Sequence, residues 1–313
     1  MQKQYKNLLA QAEKLRRHNR QGSYKAKERY FEAYKRFLQY LAETYRLEKI
    51  ANISGKHLSS YVGHMQNKGL AASTIKTDLA AIRFWHDKIS DAKYDLPSND
   101  EFKLERRKFG GVDRTWSNRE YNLMIAECMK AGHIEFEACI VLAYHAGLRI
   151  HEVMRIDTAI ARAALKNGYI TIKGKGGKIR EVPINEYVRV ELEKMIKQVL
   201  SGQKLFVESE ERTHLTIKRL QNFIRYHRSK IHDTGLTKPL TFHGLRHTYA
   251  AEAYQKLIDE GKSECEGKRQ VSQWLGHERG DVTNIYLAGL EHPYGGFRVI
   301  PSPPKDKDGD ADV

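Results

Sequence analysis

One stretch of this chain alternates as a strand does, while the patterns around it repeat at helical spacing. Tyr169 to Lys173 and Ile179 to Ile184 carry alternating Ile, Thr and Val on either side of Gly174-Lys175-Gly176-Gly177. That alternation around a glycine-rich turn predicts a β-hairpin. The expected fold class is therefore mainly α with a small β-sheet.

The helical patterns divide the chain. Residues 1–21 read as a basic N-terminal arm, helical or frayed. From Tyr24 to Tyr45, Phe31, Tyr34, Leu38, Leu41 and Tyr45 recur at helical spacing. Ser73 to Ser90 repeats the pattern with Ile75, Leu79, Ile82, Trp85 and Ile89, and Ser73 is its expected N-cap. His57 to Asn67 predicts a shorter helix that Gly69 stops. Residues 22–95 are thus expected to form an all-helical domain. Pro97, Arg106-Arg107-Lys108 and Gly110-Gly111 mark 96–115 as a basic linker. A second domain, 116–291, opens on Ser117 and Glu120, which fit a capping box. Gly147 is the expected stop of the helices that follow. Beyond the hairpin, helices are expected from Glu186 to Leu200, Thr216 to Ser229, His243 to Leu257, Arg269 to Leu275 and Val282 to Leu290. Residues 292–313 read as a flexible tail.

Charge narrows the partners. Lys plus Arg number 54 against 39 for Asp plus Glu, a net charge of +15. A chain this basic usually meets a polyanion, and neutralising DNA phosphates releases condensed counterions. The competing reading is a basic surface kept for solubility. Cys128, Cys139 and Cys265 are scattered and form no CxxC pair, which points away from a disulfide scaffold or a zinc–cysteine site. No apolar run is long enough to span a bilayer, and the charged start MQKQYKNLLAQAEKLRRHNR shows no signal-peptide pattern. A cytoplasmic, nucleoid-associated protein with no membrane partner is expected.

Five pieces of the second domain share one chemical use. Gly147-Leu148-Arg149 sits at a helix junction, with Glu152 one turn on. The hairpin turn presents Lys173, Lys175 and Lys178. His243-Gly-Leu-Arg246-His247 starts a helix after Thr241. Leu275-Gly276-His277 ends another, and Tyr286 follows 286 − 277 = 9 positions later. These pieces, in this order and spacing, resemble the tyrosine recombinases, or phage integrases. Ala146 to Glu152 matches the family's GLRxxE stretch, Gly174-Lys175-Gly176 its hairpin lysine, His243 to His247 its HxLRH stretch, Leu275 to His277 its LGH stretch, and Tyr286 its nucleophile. The resemblance covers the chain from about Ser117 to Leu290. The helical pattern before it resembles the family's core-binding domain, so 116–291 is expected to be the mixed α/β catalytic domain.

The chemistry these residues offer agrees. A phosphodiester resists attack because its non-bridging oxygens are negative, and Arg149 and Arg246 can bind those oxygens and neutralise charge in the transition state. His243 and His277 can add hydrogen bonds, and a histidine can take or return the tyrosine proton near neutral pH. Lys175 fits best as the donor to the departing 5′ oxygen, with Lys173 and Lys178 as competitors. Tyr286 would form a covalent 3′-phosphotyrosine, so bond energy is stored and no cofactor is needed. Glu152 and His247 are read as structural support. Lys218, Arg219, Arg225 and Arg228, with Lys76 and Arg83 in the first domain, are candidate DNA contacts.

Taken singly, each of these residues has an ordinary reading: a surface salt-bridge arginine, an exposed turn lysine, a helix-capping histidine, a core tyrosine. His243 and His247 stand at i, i+4, which also suits a metal, but they lack the HExxH glutamate and Arg246 would repel a cation, so no metal is expected. The resemblance implies double-stranded recombination sites as substrate, a homotetramer on DNA, and accessory DNA-bending proteins. Rival functions are a type IB topoisomerase-like enzyme, a catalytically inactive DNA-binding protein, and a metal-dependent nuclease, which would need clustered carboxylates. One departure stands out. Arg246 and His277 are 277 − 246 = 31 positions apart, and acidic and small residues from Leu257 to Lys268 suggest a loop insertion there.

Overall fold

The helical periodicities become helices, and the alternating stretch becomes a two-stranded sheet. The computed structural model describes residues 2–19, 24–105, 113–174, 177–232, 240–276 and 286–287. The chain falls into two units, residues 1–108 and 109–313. No helix among the described residues is long and apolar enough to cross a membrane.

The first unit holds α1 (Gln2–His18), α2 (Tyr24–Tyr45), α3 (Gly55–Asn67) and α4 (Ala72–His86). The stripe anticipated on α2 is its core face except at Tyr45, which is exposed: Phe31, Tyr34, Phe37, Leu38 and Leu41 are buried with Leu58, Val62, Met65, Ile75, Leu79, Ile82 and Trp85. Phe31 meets Trp85 edge to face, with ring centroids 5.5 Å apart. Two expectations need correcting. Of the two readings of the N-terminal arm, helical or frayed, the helical one holds, but the helix is not a free arm: α1 buries Leu8 and Ala12 in this core. Ser73 is not an N-cap; α4 begins one residue earlier, behind Ala71, and the Ser73 carbonyl accepts the hydroxyl of Thr77 inside the helix. The link after α3 turns at Gly69 (φ 70°) and leaves only a few residues before the helix starts. Part of the expected linker also packs here, with Leu96, Phe102 and Leu104 against the same core.

The second unit holds α5 (Asn118–Lys130), α6 (Ile134–Ala146), α7 (Ile150–Val153), α8 (Thr158–Asn167), β1 (Tyr169–Lys173), β2 (Ile179–Pro183), α9 (Glu186–Ile196), α10 (Thr213–Ile231), α11 (Phe242–Asp259) and α12 (Glu264–Leu275). Every residue of α6 from Ala138 to Ala146 is buried, so α6 is the central helix and is apolar on all sides. The capping box at the start of α5 is present: Ser117 Oγ accepts the Glu120 N–H at 3.0 Å, and Glu120 accepts the Ser117 N–H at 2.7 Å. β1 and β2 pair antiparallel, Tyr169 opposite Pro183 and Lys173 opposite Ile179, and turn Ile170, Ile172 and Val182 to the core.

The expected loop insertion is also corrected. Leu257 to Lys268 is mostly helical: α11 runs on to Asp259, Gly261 (φ 87°) turns the chain, and Ser263 caps α12 by accepting the Glu266 N–H. The acidic residues that suggested a loop sit in the first turn of α12, where Glu264 and Glu266 face the positive end of the helix dipole.

Candidate active site

The site is assembled from the ends of α6, α11 and α12 and the turn into α7. Gly147 caps α6 in the left-handed region (φ 61°). A Cβ there would stand 2.3 Å from the Tyr249 ring. Glycine is therefore required twice, by the dihedral and by the space. Gly147→Ala is expected to lower unfolding stability by about 2–4 kcal/mol, as strain and overpacking add; urea denaturation measures it, and an unchanged midpoint would mean Tyr249 simply swings away.

This turn delivers Arg149 to the head of α7. The Glu152 carboxylate accepts the Arg149 N–H at 2.8 Å and Arg149 Nη1 at 2.9 Å. Arg149 keeps 37% of its side chain exposed, while Glu152 is buried. A residue not anticipated from the sequence completes this corner. Arg180, on β2, donates Nη1 and Nη2 to the two oxygens of Glu152 at 2.9 and 2.7 Å, and Nε to the Trp274 carbonyl at 2.7 Å. Its only signal in the sequence was an arginine in an apolar strand, and the neighbouring lysines competed for the same attention.

α11 carries three of the expected residues. Thr241 caps it, and Gly244 lets residues 114–116 cross its first turn: a Cβ at 244 would lie 2.5 Å from the Arg114 carbonyl. Trp116 secures that crossing, its N–H donating to Thr248 Oγ1 at 2.7 Å and its Nε1 to the Thr241 carbonyl at 2.9 Å. Arg246 is 1% exposed. Its Nη1 donates to the Gly147 carbonyl at 2.5 Å, and its Nη2 to the carbonyl of Leu275. One buried guanidinium thus ties the end of α6 to the end of α12.

Tyr286 lies over this helix. Its hydroxyl is 3.4 Å from His243 Nε2. Its ring stacks on His247 at 4.3 Å, with the Arg246 guanidinium 5.6 Å from its centroid. Arg149, His243, Arg246 and Tyr286 are therefore brought together, with Glu152 and His247 packed behind them. Lys175 and His277 lie outside the described residues. Lys173 and Lys178 are exposed on the hairpin.

The candidate DNA contacts spread more widely. Arg225 and Arg228 line a cleft of about 440 Å³ together with Arg149 and His243. Lys218 is exposed on α10. Arg219 is engaged with Glu135, Glu208 and Glu211. In the first unit, Lys76 donates to the Glu105 carbonyl, and Arg83 to the Pro97 carbonyl and Asn99 Oδ1.

The electrostatics are unbalanced in one direction. Among the described residues Arg149, Arg180 and Arg246 converge on the single carboxylate of Glu152, and 3 − 1 leaves +2 on these four side chains. Burial works against the Glu152 charge, yet Arg180 and the neighbouring donors overcome it and bring its pKa to about 2. Burial and the nearby Arg149 lower Arg246 to about 10, so it remains a cation at neutral pH. Burial, then Arg246, Arg149 and Arg114, hold His243 below the usual histidine range, which leaves its imidazole neutral and able to accept a proton.

The same burial makes the unit sensitive to acid. His247 sits at about 3 and His145 at about 4, both mainly through burial. Unfolded, each would protonate near pH 6.5. The unfolded chain therefore binds more protons, and stability falls as pH drops from about 6.5 towards 4. Glu152 acts in the same direction at lower pH, between its ordinary value and about 2. Chemical denaturation at pH 7 and 4.5 should differ by on the order of 2 kcal/mol for each buried histidine. His247→Gln should reduce that difference; a flat profile would contradict the neutral, buried state of these rings.

Comparisons with known proteins identify the family and the fold. The profile of the Phage integrase family matches residues 115–292, and that of the phage integrase N-terminal SAM-like domain matches residues 12–89. Tyrosine recombinase XerD of Halalkalibacterium halodurans is 24% identical over 263 residues, spanning 80% of this chain and 83% of the relative. Tyrosine recombinase XerD of Oceanobacillus iheyensis is 25% identical over 264 residues, spanning 80% and 82%. In fold, the chain is similar to a lambda integrase dimer bound to a COC′ core site, with a TM-score of 0.63 and 14% identity over 94% of this chain and 80% of the other. It is also similar to the Tn1549 transposon integrase in complex with a circular intermediate DNA, at 0.60 and 18% identity over 88% and 93%. With a family profile covering more than half of its length, this chain belongs to the phage integrase family, the tyrosine recombinases.

Proposed function

We propose that this chain, a site-specific recombinase by family, cuts and rejoins double-stranded DNA at recombination sites through a 3′-phosphotyrosine on Tyr286. The observation that carries the reading is the Tyr286 hydroxyl facing His243 Nε2 at 3.4 Å, in a corner where arginines exceed carboxylates. The tyrosine oxygen attacks the scissile phosphorus as its proton passes to a base, the role assigned to neutral His243. Arg149 and Arg246 hold the non-bridging oxygens and take up charge in the transition state. His277 adds a hydrogen bond. The P–O5′ bond breaks, and Lys175 protonates the departing oxygen. Rejoining runs the same steps backwards from a different 5′ hydroxyl. The phosphotyrosine conserves the bond energy, so ATP is not consumed. Glu152 and His247 position Arg149 and Tyr286.

The cleft beside Arg149 extends the cationic surface to Arg225 and Arg228, which suits the phosphates flanking the scissile one. Lys218 and Arg219 in the second unit, and Lys76 and Arg83 in the first, are also assigned to DNA contact. The working form is a homotetramer joining two DNA sites, aided by accessory DNA-bending proteins, in the cytoplasm on the nucleoid. The test is a suicide substrate carrying a nick beside the scissile phosphate, with the covalent adduct read on a denaturing gel. An adduct is expected; tight binding without one on any candidate site would favour a DNA-binding protein instead.

A further inference from the structure

Arg180 spends its whole guanidinium on two partners that belong to different parts of the site. Two nitrogens go to the oxygens of Glu152, and the third goes to the Trp274 carbonyl at the end of α12. The next carbonyl, of Leu275, is taken by Arg246. The backbone then turns at Gly276 (φ 63°), where a Cβ would stand 2.9 Å from Arg180 Cδ. Arg180 therefore lies under the exit of α12 and against the head of α7, with 9% of its side chain exposed.

Glu152 is the one carboxylate paired with these arginines among the described residues, and Arg246 Nη1 stands 4.0 Å from it. A buried carboxylate deprived of its main partner takes whatever cation is nearest. Here those cations are Arg149 and Arg246, the two groups assigned to the phosphate. We propose that Arg180 is a positioning residue for strand cleavage: by holding both oxygens of Glu152 it keeps the carboxylate from drawing in Arg246, 4.0 Å away, and limits Arg149 to the contact that sets its place, so that both serve the scissile phosphate. The proposal rests on the reading of the site given above.

The test is the single-turnover rate of adduct formation on a suicide substrate, with DNA affinity measured separately. Arg180→Met should slow cleavage by about 10²-fold, the usual loss for a residue that orients a reactive group, while affinity changes by less than about threefold. Glu152→Gln removes the competing charge. The double variant Arg180→Met/Glu152→Gln should therefore recover about tenfold of the lost rate, a non-additive result that simple loss of packing does not give. A double variant slower than Arg180→Met alone, or an Arg180→Met enzyme as fast as wild type, would overturn the proposal. If Arg180→Met fails to fold, Arg180→Lys with and without Glu152→Gln makes the same comparison, because lysine keeps the charge and loses the two-pronged contact. Tyr286→Phe, run alongside, tests the nucleophile by itself. An adduct that survives it removes Tyr286 from its role and leaves the Arg180 comparison standing, since that is measured on whichever adduct forms.

Discussion

Tyr286→Phe is expected to bind DNA as tightly as the wild type and to form no covalent adduct. The change deletes one oxygen. The phenyl ring retains the stacking on His247 and the contact with the Arg246 guanidinium. The contact to His243 is a long one, 3.4 Å, and one hydrogen bond contributes about 1 kcal/mol, so a shift in stability of about that size is expected. Activity has no such reserve. Without the phenol there is no bond to phosphorus, and adduct formation should fall by about 10⁴-fold or more, as for other deleted nucleophiles. Denaturing gels of the two proteins on the same nicked substrate decide it. A persistent adduct would move the chemistry to another residue.

The second large effect separates activity from stability. Arg246→Met should lower the cleavage rate by about 10²–10³-fold, the range seen when a donor to a developing anion is removed. Its effect on folding should be modest. The arginine donates to the carbonyls of Gly147 and Leu275, and losing a partner for a buried carbonyl costs about 1–3 kcal/mol each. Against this, burial and Arg149 pull its pKa from 12.5 to about 10, so holding the charge in place costs about 3 kcal/mol. The opposing quantities are of similar size, and thermal denaturation should shift by only a few degrees. A collapse in stability would show that Arg246 is chiefly a structural tie between α6 and α12; a nearly active variant would remove it from the phosphate.

Much of this was legible in the sequence, for identifiable reasons. The capping box at Ser117, the glycine stop at Gly147 and the hairpin around residues 174–177 are local signals, set by dihedrals and hydrogen bonds within a few residues. Arg149, His243, Arg246 and Tyr286 were legible because they stand in an ordered set of motifs. What escaped depended on distant partners. The N-terminal helix looks merely basic until Leu8 and Ala12 are seen against α2. The 257–268 segment looks like a loop because acidic residues at a helix start resemble those of a solvated turn. The Ala-rich helix α8 drew no attention, although Asp157 caps its start and Gly168 its end. Arg180 and Arg114 matter only because the fold carries them to Glu152 and His243.

The placement of Tyr286 has a consequence for the order of events while the protein is being made. Its phenol meets groups 286 − 243 = 43, 286 − 247 = 39 and 286 − 246 = 40 residues earlier, so each contact closes a long loop and cannot form from local structure. Arg149, Arg225, Arg228 and His243 all leave the ribosome before it, and domains fold from the N-terminus as they emerge. On the reading proposed above, a growing or clipped chain carries the cations assigned to the phosphates before it carries the phenol assigned to attack, so binding would precede cleavage.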